Sequence, residues 1–191
     1  KYRNPVMILT DGMLGQMMEP LELYNKPAPK PPPKPWALTG ARGRKPNFIR
    51  SLYLVEGELE QHNLQLQKKI ARMRKAEVRF EEREVKSCEI LLVAYGSSAR
   101  IAKGALTKAR AEGIKAGLLR PISLWPFPYD QILRIASKAR AVLVIEMSAG
   151  QMLEDVRLAV SGRRPVHFLG RMGGGVPTER DVLEKIRRIA G

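Results

Sequence analysis

Glu89-Ile90-Leu91-Leu92-Val93-Ala94-Tyr95-Gly96-Ser97-Ser98 decides the fold. An apolar run with no polar alternation has no face for water, the pattern of a strand covered by helices on both sides of a parallel sheet. Gly96-Ser97-Ser98 ends the run. Ile101, Ala102, Ala105, Leu106 and Ala109 then fall on one helical stripe, which Gly113 can close in a left-handed conformation. The unit recurs three times. Lys115 to Leu119 predicts a second strand, and Tyr129 to Lys138 follows as a short helix after a loop holding three prolines, Arg120 to Pro128. Ala141 to Glu146 predicts a third strand before a helix from Gln151 to Val160, closed by Gly162. Val166 to Leu169 is the fourth strand, and Gly170 to Pro177 its loop. Thr178, with Asp181 three residues on, opens the last helix as a capping box. Four strand-helix units from Cys88 to Gly191 predict an α/β fold: an open, mainly parallel sheet with helices on both faces. In such sheets unusual loops gather at the carboxyl edge, where a crevice forms.

Upstream, Leu59, His62, Leu66, Ile70, Met73 and Phe80 recur at spacings of three, four or seven, predicting one long amphipathic helix from about Glu58 to Glu84. Phe48 to Val55 reads as a strand. Residues 26 to 35 hold six prolines, a density that favours extended polyproline backbone and marks a boundary between domains. Val6 to Thr10 reads as another strand, Asp11-Gly12 as a turn, and Leu14 to Tyr24 as a helix broken by Pro20. The expected division is residues 1–25 as a remnant of a second α/β domain, 26–50 as a Pro-rich basic linker, and 51–191 as the main domain. The opening Lys1-Tyr2-Arg3-Asn4-Pro5 reads as part of something larger.

The 191 residues carry a formal charge of +15, and seven Lys or Arg without an acid lie between Lys26 and Arg50. A stand-alone basic module for nucleic acid is the competing reading, but only Trp36, Phe48 and Tyr53 interleave aromatics with that segment, which argues against it. No apolar run reaches the roughly 20 residues of a membrane span, and no secretory signal opens the chain, so the default expectation is cytoplasmic. One cysteine, Cys88, excludes an internal disulfide and reads as a small buried residue. His62 and His167 are the two histidines; His62 reads as a boundary residue of its helix.

The carboxyl-edge loops supply the candidate functional residues. Ser97 and Ser98 occupy a strand-to-helix turn without the glycines of a nucleophile elbow, so helix capping is the expected role. Gly173 and Gly174, with Gly170 and Gly175, could cradle a phosphate, but no dinucleotide fingerprint or Walker lysine accompanies them, which favours a turn or subunit contact. Glu146, ending an apolar strand, could orient a ligand, meet a neighbouring subunit or cap loop amides. No paired carboxylates, metal-ligand spacing or complete triad emerges, so no catalytic, cofactor-binding or metal residue is assigned.

Pro5-Val6-Met7-Ile8-Leu9-Thr10-Asp11-Gly12-Met13-Leu14-Gly15-Gln16, Val93-Ala94-Tyr95-Gly96-Ser97-Ser98-Ala99-Arg100 and Gly117-Leu118-Leu119-Arg120-Pro121-Ile122-Ser123-Leu124-Trp125-Pro126-Phe127-Pro128 stand in order along the chain. With Glu146 to Val156 and Gly170-Arg171-Met172-Gly173-Gly174, they resemble the alpha subunit of 2-oxoacid:ferredoxin oxidoreductases, of the 2-ketoisovalerate or 2-oxoglutarate type. The resemblance implies that residues 1–25 are the tail of a pyrimidine-binding thiamine domain and that 51–191 resemble the transketolase C-terminal domain. It further implies oxidative decarboxylation of a 2-oxoacid to acyl-CoA, with thiamine diphosphate, Mg and iron-sulfur clusters held in the full complex. Partners would be beta, gamma and delta-type subunits and ferredoxin, whose acidity a basic subunit could exploit for steering. By that resemblance this chain is a non-catalytic structural part. Ser97, Ser98, Arg120, Glu146, Gln151, Gly173 and Gly174 are its expected subunit-contact residues.

Overall fold

In a computed structural model, residues 1–23, 27 and 30–191 are described. The repeated units form as read. In chain order they are β2 (Ile90–Ala94), α2 (Gly96–Ala111), β3 (Ala116–Pro121), α3 (Tyr129–Ala136), β4 (Ala141–Glu146), α4 (Gln151–Val160), β5 (Val166–Gly170) and α5 (Glu179–Ala190), preceded by α1 (Glu58–Ala76) and β1 (Phe80–Arg83). The five strands lie in the order β1-β3-β2-β4-β5. Three pairings are parallel, and β1 runs antiparallel on the outer side of β3.

Period-two alternation divides the core between the faces. Leu91, Val93, Val142 and Val144 point toward α3 and α4, where Ile132, Ile135, Met152 and Val156 cover them. Ile90, Leu92, Leu143 and Ile145 point the other way, under Ala102, Ala105 and Leu106 of α2 and Val182 and Ile186 of α5. Central β2 is wholly buried, which explains its unbroken apolar run. Each fully buried Leu, Ile or Val contributes about 1.5–3 kcal/mol relative to exposure.

The strand order also locates the crevice. From β2 the chain moves to β3 on one side, then crosses back to β4 and continues outward to β5. A crossover of constant hand must change faces when its direction reverses, and α2 and α3 do lie on opposite faces. The reversal makes the carboxyl ends of β2 and β4 the topological switch point, where this architecture opens between two helix N-termini.

Three expectations need correction. The long helix stops at Ala76 instead of about Glu84, and Phe80 sits in β1, whose ladder covers the backbone groups that β3 would otherwise leave at an edge. Phe48 to Val55 and Val6 to Thr10 form no strand, since neither finds a pairing partner among the described residues. The helix expected from Leu14 to Tyr24 shrinks to a single 3₁₀ turn, Leu14–Gln16; Tyr24 lies outside the described residues, as do Asn25, Lys26, Ala28 and Pro29 of the proposed boundary.

By contact the chain forms two compact units, one of Lys1–Met7 with Met18–Arg72, the other of Ile8–Met17 with Met73–Gly191. Apart from α1, the first unit combines short backbone turns with side-chain contacts. The Asn47 amide donates to the carbonyls of Pro35 at 2.7 Å and Ala37 at 3.0 Å. The Arg3 guanidinium lies 4.3 Å from the Trp36 ring centroid, Arg50 pairs with Glu58 at 3.2 Å, and half-buried His62 stacks on Tyr53.

Close approach explains one glycine. A Cβ at Gly117 in β3 would lie 2.8 Å from both the Cys88 Cβ and the Glu84 carbonyl oxygen. Gly117→Ala should therefore lower stability by about 1–3 kcal/mol through overpacking, read as a reduced midpoint in urea unfolding. An unchanged midpoint would contradict the tight seam described here.

Candidate functional site at the carboxyl edge of the sheet

Two helices start at the switch point, and an internal carboxylate occupies each N-terminus. On α4, Glu146 turns inward from the end of β4 with no solvent exposure. Its carboxylate accepts from the backbone amides of Met152 at 3.0 Å and Leu153 at 2.9 Å, and from the Ser148 hydroxyl at 2.8 Å. An ionised carboxylate out of water is costly, and three donors plus the positive end of a helix dipole offset that cost. Gly150, the residue before the helix, holds φ at 115°, a left-handed turn that lets the chain double back around the carboxylate.

At α2 the carboxylate comes from far away in sequence. Asp11 accepts from the Ser97 hydroxyl and the Ser97 amide, and also from the amides of Leu14 and Met13 in its own turn. Those bonds hold its carboxyl below the ordinary carboxylate value. Between the two sites lies half-buried Tyr95, whose phenol is pushed up first by burial and then by the negative charges of Glu146 and Asp11.

The expected site residues thus fall into groups. Ser97 and Ser98 are buried beneath the α2 turn, but they do not cap it with their side chains. Their expected capping role passes to Asp11, and the serine hydroxyl at 97 is a donor to it. Asp11 was missed because a contact between residues 11 and 97 leaves no local periodic signal. Glu146 takes the loop-capping role, and its burial leaves its side chain no surface to offer a partner. Gln151, Gly173 and Gly174 are exposed, and Arg120 is half-buried. The two glycines hold φ at 64° and 83°, and the Gly175 amide donates to the Met172 carbonyl at 3.2 Å, so the loop forms a closed turn. Ile122 and Trp125 stand more than half exposed on the loop after β3. Burial raises the Cys88 thiol above its ordinary value, which keeps it unreactive. Among the described residues no three His, Cys, Asp or Glu side chains converge to hold a metal ion, and no helix is long and apolar enough to cross a membrane.

Residues 88–182 match the family described as pyruvate:ferredoxin oxidoreductase core domain II. Across all 191 residues the chain is 50% identical to the ketoisovalerate oxidoreductase subunit VorB of Methanothermobacter thermautotrophicus, covering 54% of that protein. It is 32% identical over 188 residues to the 2-oxoglutarate synthase subunit KorA of Archaeoglobus fulgidus, spanning 90% of this chain and 50% of that one. The chain therefore spans about half the length of the curated relatives it matches. Among solved structures it resembles the 2-oxoglutarate:ferredoxin oxidoreductase of Magnetococcus marinus, with a TM-score of 0.61 at 20% identity, covering 69% of this chain and 24% of that one. A split-gene transketolase matches with a TM-score of 0.51 at 23% identity, over 58% of this chain and 40% of the other. These likenesses identify the fold as transketolase C-terminal-like. The relatives named here are a ketoisovalerate oxidoreductase subunit and a 2-oxoglutarate synthase subunit, and they lend no support to a stand-alone nucleic-acid module.

Two outcomes test the geometry. Glu146→Ala strands two buried amides and should cost about 3 kcal/mol or more in denaturant unfolding, whereas exposed Gln151→Ala should change stability by less than about 0.5 kcal/mol. For Asp11 the sign follows from a lowered folded-state value: its stabilisation is complete above about 3.8, the ordinary carboxylate value, and disappears as pH falls through the lowered one. Hydrogen-exchange protection of the Leu14 and Ser97 amides should persist down to about pH 4 and fall below it. In Asp11→Asn that acid dependence should vanish.

Proposed function

We propose that this chain, a 2-oxoacid:ferredoxin oxidoreductase subunit by its core domain II and its similarity to ketoisovalerate oxidoreductase subunits, serves as a structural part of such an enzyme. Its enzyme would oxidatively decarboxylate a branched 2-oxoacid to the acyl-CoA and pass the electrons to ferredoxin. The branched substrate class is favoured by 50% identity to the ketoisovalerate subunit against 32% to the 2-oxoglutarate subunit. Residues 1–25 would belong with a thiamine-binding domain, 26–50 would link, and 51–191 would form the transketolase-like arm.

One observation carries the structural role. At the switch point, where this fold ordinarily takes a ligand, both helix N-termini already hold the chain's own carboxylates, Asp11 and Glu146. An incoming diphosphate would meet two fixed negative charges and find the α4 amides already bonded. The residues present do not fit a thiamine diphosphate site, so that cofactor and its metal ion are assigned to other parts of the enzyme. The carboxylates instead hold the loops in one shape. Beta, gamma or delta-type subunits would then meet a preformed surface of Arg120, Ile122, Trp125, Gln151, Gly173 and Gly174. Apolar Trp125 and Ile122 supply the exposed anchors that interfaces concentrate.

The test is assembly of the complete enzyme from co-expressed subunits. Trp125→Ala with Ile122→Ser should reduce the recovered complex at least tenfold in size-exclusion chromatography, while the variant subunit retains its native circular dichroism. Full assembly of a folded variant would remove this surface from the interface.

A further inference from the structure

The sheet has two outer strands, and the sequence treats them differently. In β1, Phe80-Glu81-Glu82-Arg83, every residue but the first is charged, and Glu84 beyond it takes a left-handed φ of 53° that ends the extended run. Charge and short length are how natural sheets keep an outer strand from pairing with another chain. β5, Val166-His167-Phe168-Leu169-Gly170, lies outermost beyond β4 and contains no acid, Lys, Arg or Pro. Its register fixes which backbone groups are already used. The Val142 amide donates to the Pro165 carbonyl at 3.0 Å, and the Arg171 amide to the Glu146 carbonyl at 3.1 Å. Alternate residues of a parallel strand bond the same neighbour, so Pro165, His167, Leu169 and Arg171 turn their main-chain polar groups toward β4. Those of Val166, Phe168 and Gly170 point away from the sheet, and no described residue bonds them.

Arginines bracket this edge. Arg163 and Arg164 precede β5, Arg171 follows it, and all are exposed. Arg164 donates to the Ser137 carbonyl at 3.0 Å, Arg171 acts on Asp181 only through its charge, and none of these arginines makes an ion pair among the described residues. The edge is thus an apolar strand, open along one side, with positive charge at each end. A second copy fits it poorly. Paired antiparallel about Phe168, two β5 strands would set Arg171 opposite Pro165 and beside Arg164 of the neighbouring copy, where like charges repel. A segment of alternating apolar residues with carboxylates at both ends instead meets the free backbone groups, the half-buried side chains and the arginines together.

We propose that the outer edge of β5 takes an extended segment of another polypeptide, apolar at its centre and acidic at its ends, which joins the sheet as a further strand. That strand bonds the main-chain groups of Val166, Phe168 and Gly170, and its side chains lie beside Val166 and Phe168 on one face and Leu169 on the other. The edge shares no residue with the loop surface around Trp125, so either can stand without the other.

The experiment is amide hydrogen exchange, read by NMR on the 191-residue chain with the capped peptide Glu-Glu-Val-Thr-Val-Thr-Val-Glu-Glu. At saturation, exchange at Val166, Phe168 and Gly170 should slow at least about tenfold, whereas His167 and Leu169, already bonded to β4, should change less than about twofold. The same peptide with Lys for every Glu should bind at least about tenfold more weakly. One with Pro-Pro in place of its central Thr-Val should give no protection. Arg163→Glu with Arg171→Glu, at exposed positions, should weaken the acidic peptide at least about fivefold and strengthen the lysine peptide. Unchanged exchange at Val166, Phe168 and Gly170, or equal binding of the acidic and lysine peptides, would overturn the proposal. Slow exchange at the same amides without peptide, in a chain that sediments as a dimer, would give the edge to a second copy and overturn it as well.

Discussion

A buried carboxylate must be bonded from several sides, and the carboxyl edge of this sheet is organised by that requirement at Glu146. The side chain has no contact with water, and its two oxygens are taken up by two α4 amides and the Ser148 hydroxyl. Satisfying them fixes the start of α4, the left-handed Gly150 and the path of residues 147 to 150 between strand and helix. The next loop is drawn into the same arrangement, because the Arg171 amide donates to the Glu146 carbonyl at 3.1 Å. Asp11 does the corresponding work at α2, through Ser97. Two loops that in an open sheet could shift independently are thus referred to the same pair of charges, with Tyr95 between them. A structural surface gains from such fixing, since loops already ordered lose less entropy when a partner docks.

The parts of this arrangement that repeat along the chain were legible from sequence, and those that depend on distant pairing were not. Ile90 to Ala94 and Ala141 to Glu146 announced themselves because central parallel strands need apolar residues on both faces. Thr178 and Asp181 form the reciprocal cap their spacing suggested. Phe80 was misread because its spacing from Met73 suits a helix, whereas its place is decided by its register partner Pro121 in β3, forty-one residues later, where the open edge recruits β1 into an antiparallel ladder. At the site, Glu146 was visible as a polar residue ending an apolar run. Asp11 was not, since nothing near residue 11 records that Ser97, in the first turn of α2, lies eighty-six residues downstream. Ser97 looked like a cap because serine commonly is one; with a carboxylate already on that helix end, its hydroxyl serves better as a donor.

Charge tells a similar story of local use. The excess of +15 would suggest a polyanion partner if it formed one uniform surface. Much of it is instead spent within the fold: Arg110 donates to the Ala116 and Glu84 carbonyls, Arg187 grips Glu112 with two nitrogens, and Arg134 pairs with Glu82. In the basic segment, Arg44 donates to the Lys45 and Ala37 carbonyls and Arg50 covers the Tyr53 ring. Exposed pairs of this kind add little stability, and in the basic segment they engage Arg44, Arg50 and the Tyr53 face while Lys30, Lys34, Arg42, Lys45 and Phe48 stay exposed.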